Sequence, residues 1–202
     1  VIHVGDYHYR ETACPPGNAG CAGSPFGYGW APWQADFFDP ARSLLAVAPW
    51  VFVRGNHEDC QRAGEGWSRM LDPGAMPGDG HCIAVDPPFR IPLGGLDLVV
   101  LDVAVAEQSK EAPDQVIAYR KTFADAASLA RAPTWLLLHR PIWGLVEVVG
   151  QGSDATVIGP NKTLAPAATV RARARRYPRT GEPLGPPARC RNTCQIASAT
   201  TP

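Results

Sequence analysis

The sequence holds no apolar run near the roughly 18 residues of a membrane span, so it contains no helical membrane anchor. It has no net charge, with 19 Lys and Arg set against 19 Asp and Glu, so charge by itself selects no partner class. No leader is visible, and the first residue is Val1 rather than Met. The sequence therefore reads as a processed or truncated product, and a lost leader stays open. Histidine is scarce: five are present and none follows His139. Cys190 and Cys194 stand at a ligand-like spacing without a second close pair or a nearby His, which argues against a zinc ribbon.

What is present describes a loop-rich globular chain. With 202 residues and 45% apolar content, it is long enough for one domain with a real core. Twenty-one Pro and twenty Gly predict many loops. Six Cys occur, at 14, 21, 60, 82, 190 and 194. Cys14 and Cys21 bracket a Pro/Gly loop, a spacing that suits a disulfide in an exported protein, although pairing cannot be read from sequence. Together with the aromatic loops, the cysteines lean towards the periplasm or the outside. Charge is unevenly spread: from Pro166 onward there are seven Arg and one Glu, so residues 1–165 carry a compensating acidic excess of six. A mildly acidic body suits metal binding and argues against nucleic acid as the main partner.

Strand-like and helix-like stretches alternate. Val1–Val4 reads as the end of a buried strand. Residues 10–34 lack a helical period and read as a long loop, whose aromatics Phe26, Tyr28, Trp30 and Trp33 argue for packing. A helix is expected over 36–47 with Pro40 in its first turn, a strand over 49–53 and a short helix over 59–71. A further strand is expected at Cys82–Val85, and a strong one at Leu96–Leu101. The best helix spans 114–130, with Val116, Tyr119, Phe123, Ala127 and Ala130 on one face. Trp135–Leu138 is the next buried strand. The alternation argues for an α/β layered sheet. Residues 166–202 hold few large apolar side chains and show no period, so they cannot offset their ordering entropy by burial. They are expected to be disordered, with the flavour of a frameshifted gene end.

Three polar motifs stand at strand ends. Gly5-Asp6 follows the first strand, Gly55-Asn56-His57-Glu58 the second, and Leu138-His139-Arg140-Pro141 the run at 135–138. In an open sheet, ligands gather at the carboxyl ends of strands, and amide oxygens and imidazoles suit a divalent transition metal. In this order and spacing the motifs resemble those of the calcineurin-like metallophosphoesterase superfamily over roughly residues 1–164.

That resemblance implies an α/β fold, a layered β-sandwich flanked by helices, here incomplete. It implies two metal ions (Mn, Fe or Zn) acting on a phosphoester substrate. Asp6 would bridge the metals, Asn56 and His139 would bind the second, and His57 would stabilise the phosphoryl group or protonate the leaving oxygen. Paired cations acidify a bridging water and clamp phosphoryl oxygens during in-line attack. Gly5-Asp6-Tyr7-His8-Tyr9 also resembles the Gly-Asp-x-x-Tyr of purple acid phosphatases, which would make Tyr9 a ligand of the first metal. Asn56 and Arg10 are candidate substrate-binding residues. The superfamily's opening Asp-x-His and closing Gly-His-x-His have no counterpart in the sequence. The expectation is thus a partial domain over 1–164 with a basic Pro/Arg-rich tail over 165–202, weakly active or inert. The alternative is a non-catalytic remnant that binds at most one metal or a partner protein.

Other polar residues carry plainer expectations. Glu58 serves either as an acid at the positive helix end or in the site. His8 and His81 are expected to be solvated, and His3 to lie in the core or at an edge. Arg10 and Glu11 pair beside the site or face water, and Arg140 resembles Arg10 in this respect. Asp102 either orients a ligand or ends a turn. The cluster Arg171–Arg179 lacks interleaved aromatics apart from Tyr177, and an accidental segment explains it better than a nucleic-acid patch.

Overall fold

The computed structural model describes residues 1–74, 80–108, 110–148 and 155–168. The tail from 169, including the Arg171–Arg179 cluster, Cys190 and Cys194, lies outside these residues.

Apolar side chains of β4 (Asp97–Val100) organise the molecule. The strand is buried on both faces, as a central strand covered on both sides must be. Because successive side chains alternate, its residues feed two cores. Val99, together with Leu101, meets Tyr119, Phe123 and Ala126 of α4 (Pro113–Leu129) and Leu164, Ala165 and Ala167 of α5 (Leu164–Ala168). Leu98 and Val100 face the other way, onto Val53, Val4 and Val51. Those residues belong to or flank the parallel pair β1 (Ile2–His3) and β2 (Val51–Phe52). β4 pairs antiparallel with β3 (Phe89–Pro92) and parallel with β5 (Thr134–Leu137). A hairpin of β6 (Trp143–Val148) and β7 (Ala155–Pro160) follows. The expected α/β architecture is therefore present.

Several expectations change in detail. The helix expected at 36–47 begins earlier, as α1 (Trp30–Trp33), continues through a π-helical stretch Gln34–Phe38, and ends as α2 (Asp39–Leu45). The long loop therefore stops before Trp30. Pro40 explains the π stretch: its ring clashes with the carbonyl four residues back and it has no N–H to donate. Widening the preceding turn, where the Asp39 amide donates five residues back to the Gln34 carbonyl, absorbs the conflict. Trp33 and Phe37, four apart, pack with Tyr7, Ala63, Trp67 and Leu71 in an aromatic core, and α3 (Gly64–Met70) supplies Trp67.

On α4 the buried face is Tyr119, Phe123 and Ala126, whereas Ala127 and Ala130 are exposed. No strand forms at 82–85. The Ile83 carbonyl is taken by Arg54 at 2.8 Å, and Cys82 is bonded to Cys60. At the far end, the first residues of the expected tail are helical and buried in α5. Asn161 Oδ1 accepts from the amides of Thr163 and Leu164 at 2.9 and 2.8 Å, a side-chain N-cap that starts the turn.

Arg54 ties the layers together. Its side chain is 1% exposed. It donates to the Glu58 carbonyl, to the Ile83 carbonyl and to Asp102 Oδ2, the last at 2.9 Å, and lies 3.4 Å from Asp86 Oδ2. Burial raises the Asp102 pKa while Arg54 opposes the shift. Burial likewise pushes Asp86 up to about 6. Asp102, placed at the end of β4, is thus an anchor for Arg54. Removing the cation would strand two partly desolvated carboxylates, so Arg54→Met is expected to cost about 3–5 kcal/mol, the usual effect of breaking a buried pair. Urea unfolding measures it, and a loss under about 1 kcal/mol would mean that the pair is not holding the layers.

Candidate metal centre

The site begins with an unusual backbone. Gly5 has φ +101° and Asp6 has φ +59°, a left-handed conformation that a non-glycine residue seldom adopts. Gly5 must be glycine on a second ground, since a Cβ there would lie 2.6 Å from both the Gly55 Cα and His139 Nδ1. Gly55 is equally constrained: its Cβ would fall 2.1 Å from the Asp6 amide nitrogen. The two motifs touch backbone to backbone, and strain of this kind persists where the surroundings over-determine it.

Glu58 supplies that determination. Fully buried, its carboxylate accepts four backbone amides, Asp6 at 2.9 Å, Gly55 at 3.1 Å, Tyr7 at 2.8 Å and His8 at 3.1 Å. The Gly55 bond is the carboxylate half of a capping box, with Glu58 in the third position of a 3₁₀ turn, Asn56–Glu58. Burial drives the Glu58 pKa up to about 7, the Tyr7 amide opposes this, and the Asp6 charge adds to it. Four N–H groups aimed at both oxygens are satisfied by the ionised form alone, so the geometry is that of a carboxylate.

Held this way, Asp6 points at the other motif residues. His139 Nε2 lies 2.9 Å from Asn56 Oδ1 and 3.4 Å from Asp6 Oδ1. His139 Nδ1 is 2.7 Å from the Val4 carbonyl, which can only accept. Nδ1 therefore carries a proton, and Nε2 is the nitrogen turned towards the two oxygens. Three electron-rich atoms facing one another is the donor set of a cation, and the backbone carbonyl behind the imidazole is its usual orienting partner. On the other side of Asp6, the Tyr9 hydroxyl donates to Oδ2 at 3.0 Å. The residues thus fit a metal best on the Asp6–Asn56–His139 side. Among the described residues no three His, Cys, Asp or Glu side chains gather as a metal cage. The set holds together because an amide oxygen completes it.

His57 sits at the edge of this group. Its Nε2 is 4.0 Å from Asp6 Oδ2, its amide donates to Asp6 Oδ1 at 3.2 Å, and its ring packs 4.2 Å from that of Tyr9. Its Nδ1 lies 2.8 Å from Glu11 Oε1. Arg62 clamps the same carboxylate through Nε and a terminal nitrogen. Burial works against the Glu11 charge, yet the Arg62 and His57 bonds hold its pKa below the usual range.

Arg10 and Glu11, expected either to pair beside the site or to face water, each take other partners. Arg10 is bonded to Asp36, at 2.7 Å, and Glu11 to Arg62 and His57. Neighbouring side chains of an extended segment diverge, which is why Arg10 and Glu11 find different partners. His8 is fully buried rather than solvated, among Trp33 and Tyr28, while His81 is exposed. Arg140 lines a cavity of about 320 Å³ with Asp59, Gln61 and Glu107, directly after His139. Burial lowers its pKa.

Sequence reasoning missed Arg54, Arg62 and the anchoring role of Glu58. For Glu58 a signal existed, the third place after Gly55; for the arginines none did, since their partners lie in distant segments.

The family model described as calcineurin-like phosphoesterase matches residues 1–154. No curated protein and no solved structure matches the chain.

If Glu58 holds the Gly5-Asp6 turn, Glu58→Gln turns an NH₂ group towards amide donors and leaves some of them unsatisfied. The expected cost is about 2–4 kcal/mol, at 1–3 kcal/mol per stranded group. Thermal unfolding reads it out, and an unchanged midpoint would show that the carboxylate is dispensable.

Proposed function

The chain belongs to the calcineurin-like phosphoesterase family, and we propose that it hydrolyses phosphoesters at a metal site built on Asp6, Asn56, His139 and Tyr9. The observation that carries this reading is the convergence of Asp6 Oδ1, Asn56 Oδ1 and His139 Nε2, with the His139 ring oriented by the Val4 carbonyl. Asp6 Oδ1 faces His139 Nε2 at 3.4 Å and Oδ2 faces the Tyr9 hydroxyl at 3.0 Å, so the carboxylate offers one oxygen to each side and would suit a bridging role. Bound there, Mn, Fe or Zn would supply Lewis acidity towards water and towards the phosphoryl oxygens.

The chain's own residues then divide the remaining work. Asn56 and His57, consecutive in the 3₁₀ turn, lie on the substrate side, His57 to donate a proton to the leaving oxygen. Arg10, paired with Asp36 at 2.7 Å, is the cation assigned to the substrate's phosphoryl group. The substrate class is a phosphomonoester or phosphodiester. No helix among the described residues is long and apolar enough to cross a membrane. Disulfides Cys14–Cys21 and Cys60–Cys82 support an oxidising compartment such as the periplasm or the outside.

A second reading has one observation in its favour. The donors are unequally shared, His139 and Asn56 on one side of Asp6 and Tyr9 alone on the other, which suits a non-catalytic domain holding a single metal. The two readings part in one assay. With added manganese, 4-nitrophenyl phosphate or its bis-ester is expected to be hydrolysed. Asp6→Asn should then cost more than the ~10–100-fold typical of losing a group behind a metal ligand, and a chelator should abolish turnover reversibly. Manganese bound at one equivalent without turnover would favour the single-metal domain; turnover untouched by Asp6→Asn would sink the site.

A further inference from the structure

We infer that the cavity between α4 and the start of α5 binds a small amphipathic anion, a carboxylate carried on an apolar chain or ring. The cavity measures about 610 Å³, within the roughly 300–1,000 Å³ usual for small-molecule sites. None of Asp6, Asn56, His57 and His139 lines it. The site therefore stands whether or not the chain hydrolyses phosphoesters.

One wall is a face of α4. Pro113, Val116, Ile117 and Arg120 recur at steps of three and four residues, which on a helix stacks them in a single stripe. A second wall comes from Trp143 and Pro160, registered partners at the base of the β6–β7 hairpin. Ala165 of α5 lines the cavity as well and is buried. Ile117 is 67% exposed and Trp143 57% exposed. Large apolar side chains left in water around one concavity mark a ligand surface, whereas apolar residues scattered singly would not.

The polar lining selects the charge of the ligand. Arg120 and Lys162 both line the cavity, and among the described residues neither has a carboxylate partner. Glu111 is the one acid in the lining, so the two cations leave a surplus of one positive charge. Asn161 also lines it, is 3% exposed, and spends its Oδ1 on the amides of Thr163 and Leu164. Its Nδ2 has no acceptor among the described residues. A buried donor of this kind calls for an acceptor oxygen. A carboxylate accepts from amide, ammonium and guanidinium alike. A neutral alcohol would leave the two charges without a counter-ion, and an amine would meet two like charges. An apolar body attached to the carboxylate has Val116, Ile117 and Trp143 to lie against.

Isothermal titration calorimetry on the full chain tests the site, with EDTA present so that no carboxylate binds through a metal. Octanoate is expected to bind at one equivalent and about tenfold or more tighter than octan-1-ol, the usual gain from hydrogen bonds to charged groups. The double variant Arg120→Met, Lys162→Met keeps the apolar stems and should bring octanoate down to the affinity of octan-1-ol. Ile117→Glu sets a carboxylate in the lining and should weaken octanoate by about tenfold or more through like-charge repulsion. All three positions are exposed, so the thermal midpoints should stay unchanged. No heat with octanoate would overturn the site, as would equal affinity for octanoate and octan-1-ol. Tighter binding of octylamine than of octanoate, or octanoate binding indifferent to both variants, would overturn it as well.

Discussion

The buried Glu58 carboxylate is the interaction on which the site depends. Four backbone amides from two segments some fifty residues apart converge on it. An Asp in the left-handed region is costly on its own, on the order of 1–3 kcal/mol. Charge-assisted hydrogen bonds are roughly twice as strong as neutral ones, and several of them hold the Gly5-Asp6 turn open. Because the Asp6 amide is fixed, the Asp6 side chain has little choice but to face Asn56 and His139. The geometry of the proposed metal site is thus a consequence of a structural carboxylate that bonds the Asp6 backbone amide and not the proposed ligand atoms.

Glu58 is held by what lies beneath it. Arg54 bonds the Glu58 carbonyl, and its guanidinium reaches Asp102 at the end of β4 and the carbonyl of Ile83. The Cys60–Cys82 disulfide closes the same region against Arg54. The route from core to site is therefore short: β4 is pinned by two cores on its two faces, Asp102 is pinned by β4, Arg54 by Asp102, and the turn of Asn56 and His57 by Arg54. Loops, which dominate a chain with this much Pro and Gly, gain rigidity here through polar and covalent ties more than through burial.

The strand-end motifs were legible because they are local. Gly5-Asp6, Gly55-Asn56-His57-Glu58 and His139 each sit beside a short apolar run, and their types already name a metal chemistry. The best strand and helix, Asp97–Val100 and Pro113–Leu129, were legible by hydrophobic run and period. The start of the α1–α2 run was hidden by Pro and Gly, and the π stretch at Gln34–Phe38 answers a clash at Pro40 that periodicity does not register. The buried state of His8 was hidden as well, because a histidine's burial depends on which aromatics arrive from elsewhere.

The sequence by itself determined the chemistry available and the elements that carry it: a carboxylate, an amide and an imidazole at three strand ends, an α/β alternation, and glycines where backbones must touch. Tertiary structure alone decided how those groups are used. Arg10 turns to Asp36 and Glu11 to His57, although they are neighbours in the chain. Asp102 serves Arg54, and Glu58 serves four amides. Each choice is a contact between segments far apart in sequence, settled by which buried charge lies nearest once the layers have packed, and a linear pattern carries no record of that distance.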